Sequence, residues 1–404
     1  MDRYIVVSSD CHAGLLPEQY SAYLDPQYRE LYAQALPLQL AGAKKASENF
    51  LIADINAEWR KGNETALTGA WDSAERLKML DNDGIAAEVI FPDGITEHNA
   101  PPFGVGLAPP TQGLPPELHW AGARAHNRWL AEFCQLAPER RAGVGVAPLI
   151  WGVEESVKEA EWAARNGLRA LEIPTLVGDC DPYHHDKYDP FWAACADLGL
   201  VVNFHTGAAP YEFYFGRQWP EVDRHLIGGM GVNVTEVWFW TYRPLTQMIW
   251  GGVFERHPGL RAAVTEVGTG WMIPPHLRLM DHMYNDHTFS AKMGNFSGHL
   301  SMPPSAYFRR NVAIGASCIS RADVEIRHQL GLDQLMWGSD YPHPEGTWPT
   351  TKQQLFDSFH DIPDSEIAAI LGENAIRFFG FDRAALEPIA ARIGPKKSDF
   401  ISPH

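Results

Sequence analysis

The stretch Tyr4-Ile5-Val6-Val7-Ser8-Ser9-Asp10-Cys11-His12 begins as a short β-branched run and ends in three residues able to carry chemistry. Its pattern returns along the chain. Similar apolar runs occupy residues 4–9, 86–91, 143–149, 168–173, 200–205, 262–267, 311–314 and 335–339, which makes eight candidate strands. Amphipathic stretches at helical spacing lie between several of them, at 153–166, 190–198 and 272–284. Strands alternating with helices pair in parallel through right-handed crossovers, and eight such units close into a (β/α)8 barrel. The alternative is an open doubly wound sheet. Its nucleotide-binding forms lack support, because no GxGxxG follows the first strand and no P-loop sequence occurs.

The connections are unequal. Long insertions are expected after strand one (about 13–75, with a helix at 31–40), strand two (about 93–125, rich in proline and glycine) and strand five (about 208–257). The third is crowded with aromatics, among them Tyr211, Phe213, Trp219, Trp238 and Trp240. All three follow strands, so they would cover the C-terminal face, where barrel enzymes build their sites. Residues 1–381 read as one domain and 382–404 as a C-terminal arm.

Composition narrows the partners. The chain has 404 residues and a formal net charge of −17, which excludes binding nucleic acid or an anionic membrane through its overall field. Hydrophobic residues make up 45% and charged ones 21%, enough to fill a sizeable core. Ser8, Ser9 and Asp10 break any signal-peptide h-region at once, and no apolar run reaches bilayer-spanning length. Five scattered cysteines without a CxxC pair suggest reduced thiols. The expectation is a cytoplasmic protein with a small-molecule substrate. The long apolar insertions point to a homo-oligomer, a dimer or higher.

Strand alternation sends Asp10 and His12 to one face and Cys11 to the other. A carboxylate and an imidazole two apart at a strand end can grip one divalent cation; a surface Asp-x-His turn is the plain alternative. Strand five, Leu200-Val201-Val202-Asn203-Phe204-His205-Thr206-Gly207, ends an apolar run in His205, which a core histidine bonded to backbone would also explain. Strand eight ends in Asp340, equally readable as a turn carboxylate. A barrel brings the ends of strands one, five and eight to one mouth. There Asp10, His12, His205 and Asp340 form a mixed N/O set suited to Zn²⁺ and tolerant of Mn²⁺ or Fe²⁺.

These residues also carry a resemblance. The chain resembles the amidohydrolase superfamily, in the amidohydrolase-related branch that includes aminocarboxymuconate semialdehyde decarboxylase and the resorcylate-type decarboxylases. The resemblance spans about residues 4–381. It rests on Ser9-Asp10-Cys11-His12, on Arg76-Leu77-Lys78-Met79-Leu80-Asp81-Asn82-Asp83-Gly84-Ile85 and on Phe254-Glu255-Arg256-His257-Pro258-Gly259-Leu260. Its most specific piece is Trp337-Gly338-Ser339-Asp340-Tyr341-Pro342-His343-Pro344-Glu345-Gly346. It implies a distorted (β/α)8 TIM barrel with one metal held between strands one, five and eight.

Two departures stand out. Asp10 replaces the first histidine of the usual His-x-His pair, which lowers the net charge of the site. Where the decarboxylases have a histidine after strand six, this chain has Thr265-Glu266-Val267-Gly268, so Glu266 becomes a candidate proton carrier. His343 is a second candidate proton donor. Glu172, Arg217, Arg243 and Trp271 are candidates for contact with substrate, the two arginines for binding a carboxylate.

Two enzymatic readings follow. In the first, a metal-dependent hydrolase, activated water attacks a carbonyl of an amide, an ester or lactone, or a carbon–carbon bond, while Asp340 moves the proton. Glu266 in place of histidine leans the expectation this way. In the second, a nonoxidative decarboxylase of an aromatic or muconate-like acid, Asp340 or Glu266 protonates the carbon. A noncatalytic barrel is the third reading, and the four ligand-type residues argue against it.

Overall fold

The eight apolar runs become eight parallel strands: β1 (Val7–His12), β2 (Ala87–Phe91), β3 (Arg141–Val146), β4 (Ala170–Glu172), β5 (Val201–His205), β6 (Arg261–Thr265), β7 (Val312–Ser317) and β8 (Leu335–Gly338). This is seen in a computed structural model that describes residues 2–50, 53–94, 99–106, 114–175, 178–206, 212–216 and 228–402. The strands pair in sequence order, each parallel to the next. Right-handed crossovers that bury a helix over each strand pair leave no edge until the last strand meets the first.

That last meeting uses side chains as well as backbone. The Asp340 amide donates to the Asp10 carbonyl at 2.8 Å, and the His12 amide donates to the Tyr341 carbonyl at 2.8 Å. Ser9 Oγ donates to the Trp337 carbonyl at 3.0 Å, and the Ser339 amide donates to Ser8 Oγ at 2.8 Å. β1 shifts register between Ser8 and Cys11. That shift lies in the pairing with β2; on the β8 side the two buried hydroxyls supply bonds that backbone alone does not make. This accounts for a pair of serines in a strand buried along its whole length.

Alternation sorts the core. Val7, Ala87, Val89, Ala142, Val144, Ala170, Val201, Ala263, Ala313 and Met336 fill the barrel, while the opposite faces pack on the helices. Alanines at so many inward positions leave room for polar residues in the upper layer. The helices Pro116–Gln135, Val153–Arg165, Asp189–Leu198 and Thr269–Asn285 cover the outside.

Several boundaries differ from expectation. β1 runs to His12, three residues beyond the apolar run, so that Asp10 and His12 are strand residues. Pro148 ends the third strand early, and Leu149–Trp151 forms a 3-10 turn. The first insertion contains the helix Pro26–Phe50, longer than the expected 31–40. The second insertion ends near 115 rather than 125, because Pro116 starts the crossover helix. The third contains the helix Gly229–Trp250. The C-terminal arm is not loosely attached: its helix Arg383–Ile393 buries Leu386 and Ala390, and Phe400 packs edge-on against Tyr4 with centroids 5.2 Å apart. No helix among the described residues is long and apolar enough to cross a membrane.

Candidate metal centre

Asp10, His12 and His205 meet inside the barrel mouth, and all three are fully or almost fully buried. Asp10 Oδ1 lies 3.4 Å from His12 Nε2 and 3.3 Å from His205 Nε2. Glu266 Oε2 approaches His205 Nε2 to 3.4 Å, and Asp340 Oδ1 approaches His12 Nε2 to 3.2 Å. The four ligand-type atoms of Asp10, His12, His205 and Glu266 lie within 4.8 Å of one another. Asp340 joins from the β8 side. Sequence reading placed Asp340 in the ligand set and Glu266 outside it; the structure sets Glu266 against His205 and Asp340 against His12.

Local backbone explains these positions. Glu266 follows β6 with φ of 56°, and Asp340 follows β8 with φ of 60°. Both are non-glycine residues in left-handed backbone, a conformation that turns a side chain off the strand axis and persists only where neighbours fix it. The Glu266 amide is fixed by the Gly315 carbonyl at 2.8 Å, and that of Asp340 by Asp10. Each carboxylate is thereby aimed into the mouth.

The residues fit a cation. His12 Nδ1 lies 3.0 Å from the Pro92 carbonyl, which only accepts. Nδ1 therefore carries a proton, and Nε2 is the nitrogen that would turn a lone pair to a bound cation once its own proton is displaced. His12 Nε2 and Asp340 Oδ1 are buried and lie 3.2 Å apart without the alignment of a hydrogen bond. Burial and the neighbouring His343 lower the basicity of His12, yet Asp10 and Asp340 outweigh them and push it up to about 10. Burial would raise Asp10, but His205 and His12 hold it below the usual carboxylate range. Glu266 goes the other way, raised well above that range by burial and by Asp340 and Asp10. Crowded carboxylates out of water need positive charge among them, and one divalent ion supplies it.

Behind Asp340 stands His343, its Nδ1 3.1 Å from Asp340 Oδ1 and its Nε2 3.2 Å from Asp93 Oδ1. Asp93 also lies 3.6 Å from His12 Nδ1. Sequence reading missed Asp93, although it follows the β2 end directly and its place there could have marked it. Phe91, also missed, sets its ring 4.7 Å from that of His205 and walls the centre.

The remaining candidates are more scattered. Glu172 faces inward at the end of β4, buried, with Oε2 unpartnered, and burial pushes its carboxyl up to about 8. Arg243 is exposed on the helix Gly229–Trp250, and Trp271 is 85% exposed, so neither lines the buried centre. Arg217 lies outside the described residues.

A (β/α)8 barrel with such a centre defines the metal-dependent amidohydrolases, and the chain belongs to the amidohydrolase family, whose profile matches residues 115–381. It is 25% identical over 338 residues to gamma-resorcylate decarboxylase of Rhodococcus jostii (strain RHA1), covering 78% of this chain and 92% of that protein. It is 23% identical over 316 residues to 2-amino-3-carboxymuconate-6-semialdehyde decarboxylase of Dictyostelium discoideum, covering 78% of each. Among solved structures, 5-carboxyvanillate decarboxylase of Sphingomonas paucimobilis shares the fold with a TM-score of 0.64 at 21% identity, over 94% of this chain and 100% of that one. The Novosphingobium aromaticivorans enzyme of the same name has bound manganese; it superposes with a TM-score of 0.64 at 18% identity, over 94% and 98% of the two chains.

Proposed function

We propose that the chain is a divalent-metal-dependent nonoxidative decarboxylase of an aromatic or muconate-like carboxylic acid. The observation that carries this reading is that both curated relatives, matched over most of the chain, are decarboxylases. Asp10, His12, His205 and Asp340 would hold the ion, with Glu266 beside them. When bound, a divalent ion draws electron density from the substrate oxygens it contacts. The carboxylate-weighted donor set suits Mn²⁺ as well as Zn²⁺.

The chain's own residues handle the proton. Decarboxylation breaks the bond between the carbon skeleton and the carboxylate, CO₂ leaves, and the electron pair stays on carbon. That carbon takes a proton that starts on His343, held protonated between Asp340 and Asp93, and passes through Asp340 across their 3.1 Å contact, leaving His343 neutral until solvent recharges it. Phe91 and the buried walls keep bulk water from the centre.

Hydrolysis remains the second reading, resting on Glu266 where the decarboxylases have a histidine. Turnover in H₂¹⁸O of a panel that pairs hydroxylated benzoates with their aryl esters and amides separates the two. Release of CO₂ without ¹⁸O in the product supports decarboxylation; ¹⁸O in a product acid without CO₂ overturns it. A homo-oligomer belongs to the same reading, because Phe213, Val232, Val234 and Phe239 are exposed in the insertion after β5. Light scattering at working concentration tests it, and a monomer would refute it.

A further inference from the structure

The structure assigns Ser317 and Gly338 as positioning residues that make Asp10 a one-oxygen ligand. This rests on the metal-dependent reading above. The two carboxylate oxygens of Asp10 are used differently. Oδ1 faces the nitrogens of His12 and His205, whereas Oδ2 accepts a hydrogen bond from Ser317 Oγ at the end of β7. With Oδ2 engaged from behind, the carboxylate presents a single oxygen to the centre.

The backbone of residue 10 is fixed as firmly. Its carbonyl accepts from Ser8 Oγ and from the Asp340 amide, both at 2.8 Å. On the β8 side nothing larger than glycine fits. A Cβ at Gly338 would stand 2.7 Å from Asp10 Cβ and 3.2 Å from both Asp10 N and Ser317 Oγ. Real carbon–carbon contacts are not that short, so any side chain at 338 displaces Asp10 or Ser317. β7 therefore supplies the donor and β8 the space, and a short carboxylate at position 10 reaches its place only with both.

Hydrogen-bond partners behind metal ligands typically change metal affinity by about 10–100-fold when removed. The test is titration of chelator-stripped protein with Mn²⁺, following free Mn²⁺ by electron paramagnetic resonance, with the melting temperature of each metal-free variant alongside. Ser317→Ala is expected to weaken Mn²⁺ binding by about 10–100-fold while the metal-free protein melts as wild type does. Ser317→Thr, which keeps the hydroxyl, is expected to retain tighter binding than Ser317→Ala. Gly338→Ala, acting by displacement, is expected to weaken binding as well. Wild-type affinity in both Ser317→Ala and Gly338→Ala would overturn the inference and leave the metal centre standing. Absence of Mn²⁺ binding by the wild type would overturn the metal-dependent reading itself.

Discussion

His12 and His343 stack face to face, with ring centroids 3.8 Å apart and planes 16° from parallel, and Asp340 Oδ1 touches both, at 3.2 and 3.1 Å. One imidazole belongs to the ligand cluster and the other to a proton path that ends on Asp93. A single carboxylate oxygen thus joins the two halves of the site. Burial would raise the Asp340 pKa, but His343 and His12 together hold it below the ordinary carboxylate range.

Replacing Asp340 with Asn keeps the shape and removes the charge and the proton carrier. Decarboxylation by Asp340→Asn is expected to fall by about 10²–10⁴-fold. Circular dichroism and melting should show an intact fold. Residual activity within a few-fold of wild type would remove Asp340 from the proton step.

Asp93 touches His343 from the side away from Asp340. Without its charge the ring loses the partner that fixes its tautomer, so Asp93→Asn is expected to lower kcat by about 10-fold or more with KM little changed. A change confined to KM would instead place Asp93 against the substrate.

Glu172 carries a sign-definite pH effect. Its folded pKa of about 8 stands above the ordinary 4.5, so between those values the folded chain keeps a proton that the unfolded chain releases. Its contribution to stability is present below pH 4.5 and is lost as pH rises through 8, at a limiting slope of about 1 kcal/mol per pH unit. Glu172→Gln should flatten that slope in metal-free protein, measured by urea unfolding from pH 5 to 8.5. An unchanged slope would mean that Glu172 is ionised in the fold.

Arg76 is wholly buried. It donates to both oxygens of Glu88, at 2.8 and 3.0 Å, and to the His12 carbonyl at 2.8 Å. Breaking this pair from one side leaves a buried carboxylate short of its partner, although Arg141 stands 3.5 Å away. Arg76→Met is expected to cost about 3–5 kcal/mol. The double change Arg76→Met, Glu88→Leu should recover part of it. A loss of under 1 kcal/mol in the single variant would show that Arg141 alone satisfies Glu88.

Phe400 tests the role of the C-terminal arm. It is 4% exposed and sits on Tyr4. Phe400→Ala should lower stability by about 3 kcal/mol, as a core truncation does. A neutral result would show that the arm contributes nothing to the core it covers.

The strand pattern, and with it the strand ends that carry Asp10, His12, His205 and Asp340, was legible because alternation and barrel closure are set by local periodicity. His12, His205 and Asp340 end up together for the reason their positions suggest. Asp93 was not legible, because its meaning depends on His343, 250 residues away in sequence. Ser317 was hidden in the same way: a serine at a strand end has no signature until the strand facing it is known. The burial of the arm was obscured by its prolines, which read as a breaker-rich tail although Pro395 accepts a hydrogen bond from the Tyr4 amide.

The serines and backbone bonds that join β8 to β1 place the candidate metal centre across the seam of the barrel. During synthesis His12 emerges with the first strand and must wait for Asp340 from the last. On the proposed reading, a ribosome-bound nascent chain would therefore hold an incomplete ligand set until β8 has been made. Metal uptake would then mark a finished barrel, and fragments ended before β8 should bind Mn²⁺ more weakly than the full chain.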